Sequence, residues 1–163
     1  MHLILMRHAK TEGANPHGDH ARELIDRGRA DAVLAGERLA DLDVDYAIVS
    51  TSARTRQTFE ALGLDVPVEY LDAIYEQDVR QIMQRIAEVP DDVHCLLVVG
   101  HSPSVPALAM EFARESGDEE ASDELAHHFP TATYAVFEVG RSWQQLSDLG
   151  SFESVTLREV VRP

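Results

Sequence analysis

The sequence contains one cysteine, Cys95, and one lysine, Lys10, among its 163 residues. A single cysteine excludes a disulfide within the chain and favours a cytoplasmic location. No apolar run approaches the roughly 20 residues that cross a membrane, so we expect no membrane partner. The first apolar stretch stops at Arg7 and His8, which is too early for the apolar region of a secretory signal.

Positive charge is also scarce, with 14 basic residues against 29 acidic ones and a net charge of -15. Such a chain lacks the basic face that nucleic acids require, so nucleic acid is not an expected partner. A phosphorylated ligand would be repelled at long range, and a site for one would need a dense local cluster of cations. Thirteen of the basic residues are arginines, whose planar donor fork suits bidentate contacts to phosphate.

Strand-like and helix-like segments alternate through most of the chain, which is typical of an α/β fold. Apolar runs predict strands over 2–6, 46–50, 66–71, 94–100, 133–139 and 154–161. Helical spacing predicts helices over 26–42, 52–63, 78–89 and 104–116. We therefore expect a three-layer sandwich forming one domain over 1–163. Its mixed, parallel-rich sheet should have about six strands, with helices on both faces.

Three finer features of this fold can be predicted. Pro67 indicates that the strand over 66–71 lies at an edge of the sheet. The C-terminal strands follow no clear helix, so an antiparallel edge is expected there. The acidic segment 115–128 is interpreted as a surface loop with at most a helical turn, and the alternative is a lid over a site.

Cationic and ionisable side chains follow three predicted strands at the point where each strand ends. Arg7 and His8 end the first strand, Arg54 lies in the first turn after the second, and His101 follows the strand over 94–100. Ligands of open α/β sheets bind beyond the carboxyl ends of the strands. Each residue alone has an ordinary structural explanation, such as an Arg54 pair with Glu60. Together they indicate a site for an anion.

Four segments, in this order, resemble the motifs of one family. "MRHAKTEG" resembles the Arg-His-Gly signature of the histidine phosphatase superfamily, with Ala9 in the glycine position. "DHARELIDRG" is similar to a segment of its short, phosphohistidine phosphatase (SixA-type) branch. "STSARTRQTFEAL" is similar to the segment with the second arginine, and "LLVVGHSPSV" to the segment with the second histidine. The resemblance covers most of the chain.

The resemblance implies a phosphatase that uses neither metal nor cofactor. His8 would be the nucleophile, and the phosphoryl group would be gripped by Arg7, Arg54 and His101, with Arg22 adding a contact. The arginines oppose protonation of His8 and so keep it nucleophilic. The family motifs also contain two further candidates for substrate contacts: Asp19 and Ser102.

The general acid is the gap in this assignment. Longer members of the family place a glutamate after the third strand, and here that region reads "LDAIYEQDV". Glu76 and Asp78 are the candidates, with Asp72 as a third, and the sequence does not choose between them. Imidazole leaves phosphorus easily once it is protonated, whereas an alkoxide needs an acid. An uncertain acid therefore favours phosphohistidine as the substrate.

The leading hypothesis is a cytoplasmic phosphatase that acts on phosphohistidine in a protein, as a monomer or weak dimer. The first alternative is a phosphomonoesterase for a small phosphorylated metabolite. The second is a non-catalytic module that binds phosphoproteins. His17 and His20 lie near the expected mouth of the site. The pair His127 and His128 has no neighbouring Cys or third His, so no metal site is expected.

Overall fold

The computed structural model describes residues 1–75, 78–147 and 154–163. The strands are β1 (His2–Arg7), β2 (Tyr46–Ser50), β3 (Val68–Leu71), β4 (Cys95–Gly100), β5 (Tyr134–Val139) and β6 (Val155–Val161). The helices are α1 (Asp26–Leu39), α2 (Ala53–Leu62), α3 (Asp72–Tyr75), α4 (Val79–Ala87), α5 (Ser104–Glu115) and α6 (Glu119–His127). Short 3-10 helices cover Asp19–Ala21, Ala40–Leu42 and Trp143–Ser147.

The strands form one six-stranded sheet in the order β3-β2-β4-β1-β5-β6. The four strands β3, β2, β4 and β1 are parallel, whereas β5 and β6 run antiparallel to their neighbours. This arrangement confirms the predicted parallel-rich mixed sheet, the edge position of β3 and the antiparallel C-terminal edge. The carboxyl ends of β1, β2 and β4 consequently meet at one edge of the sheet.

Both faces of the sheet are covered, which explains why the central strands are apolar without alternation. In β1, Leu3 and Leu5 point into the core beneath α4 and α5, and Ile4 and Met6 point into the core beneath α1 and α2. All six residues of β4 are buried. A strand that is apolar on both faces is fully covered only in the interior of the sheet. The carboxyl end of β4 therefore lies between those of β2 and β1.

The acidic segment 115–128 forms the helix α6, so the expectation of a loop with at most one helical turn was wrong. The Asp118 side chain caps this helix by accepting a hydrogen bond from the Ala121 amide at 2.9 Å. Leu125, four residues after Ala121, is buried, and the Ser122 hydroxyl donates to the Met110 carbonyl of α5 at 3.2 Å. This apolar stripe packs α6 on α5, so the lid alternative finds no support.

Among the described residues, no helix combines the length and the apolar composition needed to span a membrane.

The segment that follows β1 is held against the start of α1. The Ile25 amide donates to the Lys10 carbonyl at 3.1 Å. Gly28 faces the same backbone so closely that a Cβ there would lie 2.1 Å from the Lys10 oxygen. Only glycine permits this contact, and the contact fixes the path of the chain immediately after His8.

We expect Gly28→Ala to lower the free energy of unfolding by about 1–3 kcal/mol, the usual cost of forcing a methyl group into packed space. Urea denaturation followed by circular dichroism measures it. Gly13→Ala is the matched control, because a Cβ at Gly13 meets nothing within 4 Å. Equal stability of the two variants would show that α1 moves away from Lys10 at little cost.

Candidate active site

The side chains predicted to bind an anion border one pocket of about 390 Å³ at the carboxyl edge of the parallel strands. Its lining residues are Arg7, His8, Lys10, Thr11, Asp19, Arg22, Arg54, His101, Ser102 and Thr131. The structure therefore brings together the four central candidates and the three secondary ones. Cations and hydrogen-bond donors dominate the wall, as a site for a phosphoryl group requires.

His8 leaves the end of β1 in a fully bonded turn. Its amide donates to the Gly100 carbonyl of β4 at 3.0 Å, and the next amide, of Ala9, donates to the Thr58 hydroxyl at 3.0 Å. The His8 Nδ1 atom lies 2.8 Å from the Ala9 carbonyl oxygen. A carbonyl only accepts, so Nδ1 carries the proton and Nε2 keeps its lone pair.

His101 is fixed by two side chains. Its Nδ1 lies 3.3 Å from Nε of Arg54, and its Nε2 lies 2.8 Å from the Ser50 hydroxyl. An arginine only donates, so Nδ1 is the unprotonated nitrogen and Nε2–H donates to Ser50. The rings of His8 and His101 are 5.3 Å apart between centroids.

Both histidines are held neutral. Burial lowers the pKa of His8 to about 4, with further lowering from Arg54 and Arg7. Burial lowers the pKa of His101 to about 3, and again Arg54 contributes. At neutral pH each ring is an uncharged imidazole, so His8 is able to act as a nucleophile. A bound phosphoryl dianion would act in the opposite direction and favour a proton on His101.

Arg7 is set by the segment that leads into β5. Its Nη1 donates to the Phe129 carbonyl at 2.8 Å, and its backbone amide donates to the Thr133 carbonyl at 3.0 Å. The amide of Ala132, a residue with φ of 63°, reaches the carbonyls of both Arg7 and His8. Nε of Arg7 is buried and has no hydrogen-bond partner among the described residues. Because this atom is buried, contact with a ligand in the pocket is left to the terminal Nη groups of Arg7.

Asp19 joins the other two arginines. Its Oδ1 accepts from Arg22 Nη1 at 3.0 Å, and its Oδ2 accepts from Arg54 Nη2 at 3.0 Å. Arg54 also donates to the Asp19 carbonyl at 2.7 Å, and its side chain is only 5% exposed. The bond from Arg22 and the charge of Arg54 lower the pKa of Asp19 to about 2. Asp19 is therefore ionised at neutral pH.

Four neighbours of the pocket were not predicted: Lys10, Thr11 and Thr131 on its wall, and Tyr75 beside it. Tyr75, at the end of α3, donates to Asp19 Oδ2 at 3.1 Å, and its ring meets those of His101 and His20 edge-on. It lies within "LDAIYEQDV", the segment whose carboxylates were the candidates for the general acid. Thr131 precedes β5, an antiparallel strand, so a rule about carboxyl ends does not find it.

Two of the three candidate acids, Asp72 and Asp78, lie elsewhere. Asp78 caps α4 by accepting from the Arg80 amide at 2.8 Å, and Asp72 accepts from the Thr51 hydroxyl at 2.5 Å. Neither borders the pocket. Glu76 lies outside the described residues.

The loop histidines also lie outside the pocket wall. His20 contacts the Thr51 hydroxyl at 3.1 Å, and His17 is exposed in the loop before it. His127 and His128 belong to no group of three or more potential metal ligands in the ranges that the structure describes.

The model of the histidine phosphatase superfamily (branch 1) matches residues 3–119. This chain belongs to that superfamily. The match spans the Arg7, Arg54 and His101 segments, and it confirms the family expected from the motifs. It also confirms the expectation of a hydrolase, since the chain is a phosphatase.

Relatives agree with this assignment. An uncharacterised protein of Mycobacterium tuberculosis is 40% identical over 141 residues, which are 85% of this chain and 89% of that protein. A protein of Nakamurella multipartitia that is proposed to be the phosphohistidine phosphatase SixA is 36% identical to this chain. Its structure matches with a TM-score of 0.88 over 99% of this chain and 95% of that one. Its counterpart from Agrobacterium tumefaciens is 26% identical to this chain, with a TM-score of 0.79 over 99% of this chain and 97% of that one. These likenesses place the chain in the SixA-type branch.

The buried histidines predict a pH dependence of stability. The pKa of His101 in the folded protein, about 3, lies below its usual 6.5, so the unfolded chain binds more protons. The free energy of unfolding should therefore fall as the pH drops from about 6.5 toward 3. Between pH 7 and pH 5, the free energy of unfolding should fall by about 1–2 kcal/mol less for His101→Gln than for the native chain. Urea denaturation at each pH measures this difference.

The slope, and not the absolute stability, is the readout, because the variant also loses its bond to Ser50. Removal of the exposed imidazole in His127→Gln is the control. If native protein and His101→Gln have parallel pH profiles, the pKa of His101 is the same in the folded and the unfolded chain, and burial does not keep it neutral.

Proposed function

We propose that the protein hydrolyses phosphohistidine in a partner protein through a phosphoryl intermediate on His8. One observation carries the proposal. The bond between His8 Nδ1 and the Ala9 carbonyl leaves the Nε2 lone pair free, inside a pocket whose other walls carry Arg7, Arg22 and Arg54. A neutral imidazole among guanidinium groups is suited to attack a bound phosphoryl group.

In the first step, Nε2 of His8 forms a bond to phosphorus opposite the bond that breaks. The arginines bind the equatorial oxygens, where negative charge is concentrated in the transition state. The Nη groups of Arg7 and Arg54, with the N–H bonds not engaged in the contacts given above, supply these contacts. His101 contributes the orientation of Arg54 through the bond to Arg54 Nε.

In the second step, water attacks phosphorus and the bond to His8 Nε2 breaks. His8 keeps its Nδ1 proton throughout, because the Ala9 carbonyl accepts from it. It therefore departs as a neutral imidazole and needs no external acid, and the water proton leaves with the phosphate or to solvent. The same contact makes His8 a nucleophile in one step and a leaving group in the other.

The choice of substrate is supported by the carboxylates. Asp19 lines the pocket but is ionised, with a pKa of about 2, so it has no proton to give. Asp72 and Asp78 are engaged in local hydrogen bonds. A substrate that needs no protein acid suits such a pocket, and protonated phosphohistidine is one. The structures from Nakamurella multipartitia and Agrobacterium tumefaciens, both proposed to be phosphohistidine phosphatases, support the same choice.

We expect turnover to follow the leaving group: a phosphohistidine peptide fastest, then aryl phosphates, then phosphoserine peptides and sugar phosphates. General acid assistance is worth roughly 10²–10⁴-fold, so its absence should separate the first and last classes by a comparable factor. Steady-state release of phosphate gives kcat/KM for each substrate. Asp78→Asn and Glu76→Gln should change the hydrolysis of alkyl phosphates little.

Efficient hydrolysis of a sugar phosphate, lost on replacing Glu76 alone, would contradict this ranking. It would make the small-metabolite phosphomonoesterase the better assignment.

We further expect a phosphoenzyme that forms on His8. Rapid quenching with labelled substrate should trap phosphate in a linkage that is stable to base and labile to acid, as for phosphohistidine. His8→Ala should abolish both the trapped species and turnover while retaining the far-ultraviolet circular dichroism of the native chain. His127→Ala, on the exposed face of α6, is the matched control. Label on His101 together with activity in His8→Ala would refute the assignment.

A further inference from the structure

Asp19 is the one carboxylate on the wall of the pocket within the described ranges. A carboxylate is unexpected there, because it competes with the phosphoryl oxygens for Arg22 and Arg54. The Asp19 side chain is 55% exposed, in contrast to the 5% of Arg54. It therefore lies at the open side of the pocket, between the buried cations and the solvent.

The contacts of Asp19 fix the position of its carboxylate but leave part of its capacity to accept hydrogen bonds unused. Three donors reach it: Arg22 Nη1, Arg54 Nη2 and the Tyr75 hydroxyl, at 3.0, 3.0 and 3.1 Å. A carboxylate has about four acceptor positions, so one remains for a donor on the substrate. The arginines also keep Asp19 charged, which makes it a permanent negative charge at the mouth.

In-line transfer to His8 places the leaving group on the side of phosphorus away from His8, toward the mouth. The leaving group therefore departs past Asp19. A cationic leaving group gains from a negative charge within a few ångströms, and one that develops negative charge is opposed by it. In such a complex the guanidinium groups face the phosphoryl oxygens, while Asp19 faces the leaving group. Negative charge on the phosphoryl group and positive charge on the leaving group are therefore favoured at different places in the pocket.

We propose that Asp19 selects the substrate by the charge of its leaving group, favouring a protonated imidazole ring and disfavouring anionic groups. This inference rests on the proposed function and adds to it a residue that recognises the leaving side. The substrate ring binds with its distal nitrogen protonated and donating to Asp19. When the bond between phosphorus and the proximal nitrogen breaks, its electron pair stays on that nitrogen. The ring leaves as neutral imidazole, and Asp19 neither gains nor loses a proton.

The first experiment compares N-phosphoimidazole with p-nitrophenyl phosphate as substrates of the native chain and of Asp19→Asn. Asp19→Asn should lower kcat/KM for N-phosphoimidazole by about tenfold, the expected size of a half-exposed charge interaction. Because Asp19 also holds Arg22 and Arg54, kcat/KM for p-nitrophenyl phosphate should fall less than this or rise, so the readout is the ratio of the two substrates. Asp72→Asn is the matched control. It removes a carboxylate bonded to Thr51 outside the pocket wall, and should leave the ratio of the two substrates unchanged.

A second experiment uses the native chain and needs no variant. Two phenyl phosphates of similar phenol acidity are compared, one with an ammoniomethyl and one with a carboxymethyl substituent. The cationic substrate should have the higher kcat/KM, by about tenfold, and 0.5 M salt should reduce the difference. This comparison tests the charge preference even if Asp19→Asn does not fold.

The possible results separate the two proposals. If the native chain does not prefer N-phosphoimidazole, the phosphohistidine function fails, and the substituted phenyl phosphates still test Asp19. If the preference exists and is unchanged in Asp19→Asn, Asp19 does not select the leaving group and the function stands. If Asp19→Asn slows both substrates equally, Asp19 only positions the two arginines and the inference is overturned.

Discussion

Three guanidinium groups share one pocket in a chain of net charge -15, and the need to hold them together governs the structure around them. Arg7, Arg22 and Arg54 repel one another, and burial removes much of the water that would screen the repulsion. Backbone carbonyls compensate: Phe129 accepts from Arg7, Asp19 from Arg54, and Glu12 from Arg22. The segment between β1 and α1 and the segment before β5 must therefore meet at the same place, at the carboxyl edge of the parallel strands.

The same cluster determines the state of the histidines. Burial and neighbouring positive charge act in one direction on His8 and His101, and both keep the rings neutral at neutral pH. Hydrogen bonds then fix the tautomers: the Ala9 carbonyl accepts from His8 Nδ1, and Arg54 Nε donates to His101 Nδ1. The Ala9 carbonyl and Arg54 thus act on both the pKa and the tautomer of these rings. A substitution that moves the Ala9 carbonyl could leave the His8 pKa low and still remove the nucleophile.

The sequence predicts those parts of the site that depend on the sheet. Arg7, His8 and His101 each adjoin the end of a buried strand, and apolar runs locate such ends within a residue or two. Arg54 follows from the first turn of α2 by the same argument. The helix α6 was missed because its acidic residues dominate the composition, while only Ser122 and Leu125 are buried and Ala121 is partly buried.

The remaining parts depend on loops without periodicity. The bridge from Asp19 to Arg22 and Arg54 requires the loop after His8 to return over α2, and no local pattern encodes that path. Tyr75 reaches the site only because α3 turns back from the edge strand β3. Thr131 arrives at the amino end of an antiparallel strand, where the rule about carboxyl ends does not apply. In each case the sequence shows a residue capable of the contact, but the partner of that residue depends on tertiary structure and cannot be inferred from local pattern.

The arrangement has a consequence for the energetics of the reaction. If both the substrate ring and His8 are imidazoles with one protonated nitrogen, the first step exchanges one phosphorus–nitrogen bond for another of the same kind. The chemical change is then nearly balanced, and the position of the equilibrium depends on how the protein treats the two rings. His8 is desolvated and tied to the Ala9 carbonyl, whereas the substrate ring meets the half-exposed Asp19. Departure of the free ring into solvent, followed by entry of water, therefore drives the reaction forward, and both events pass the half-exposed Asp19.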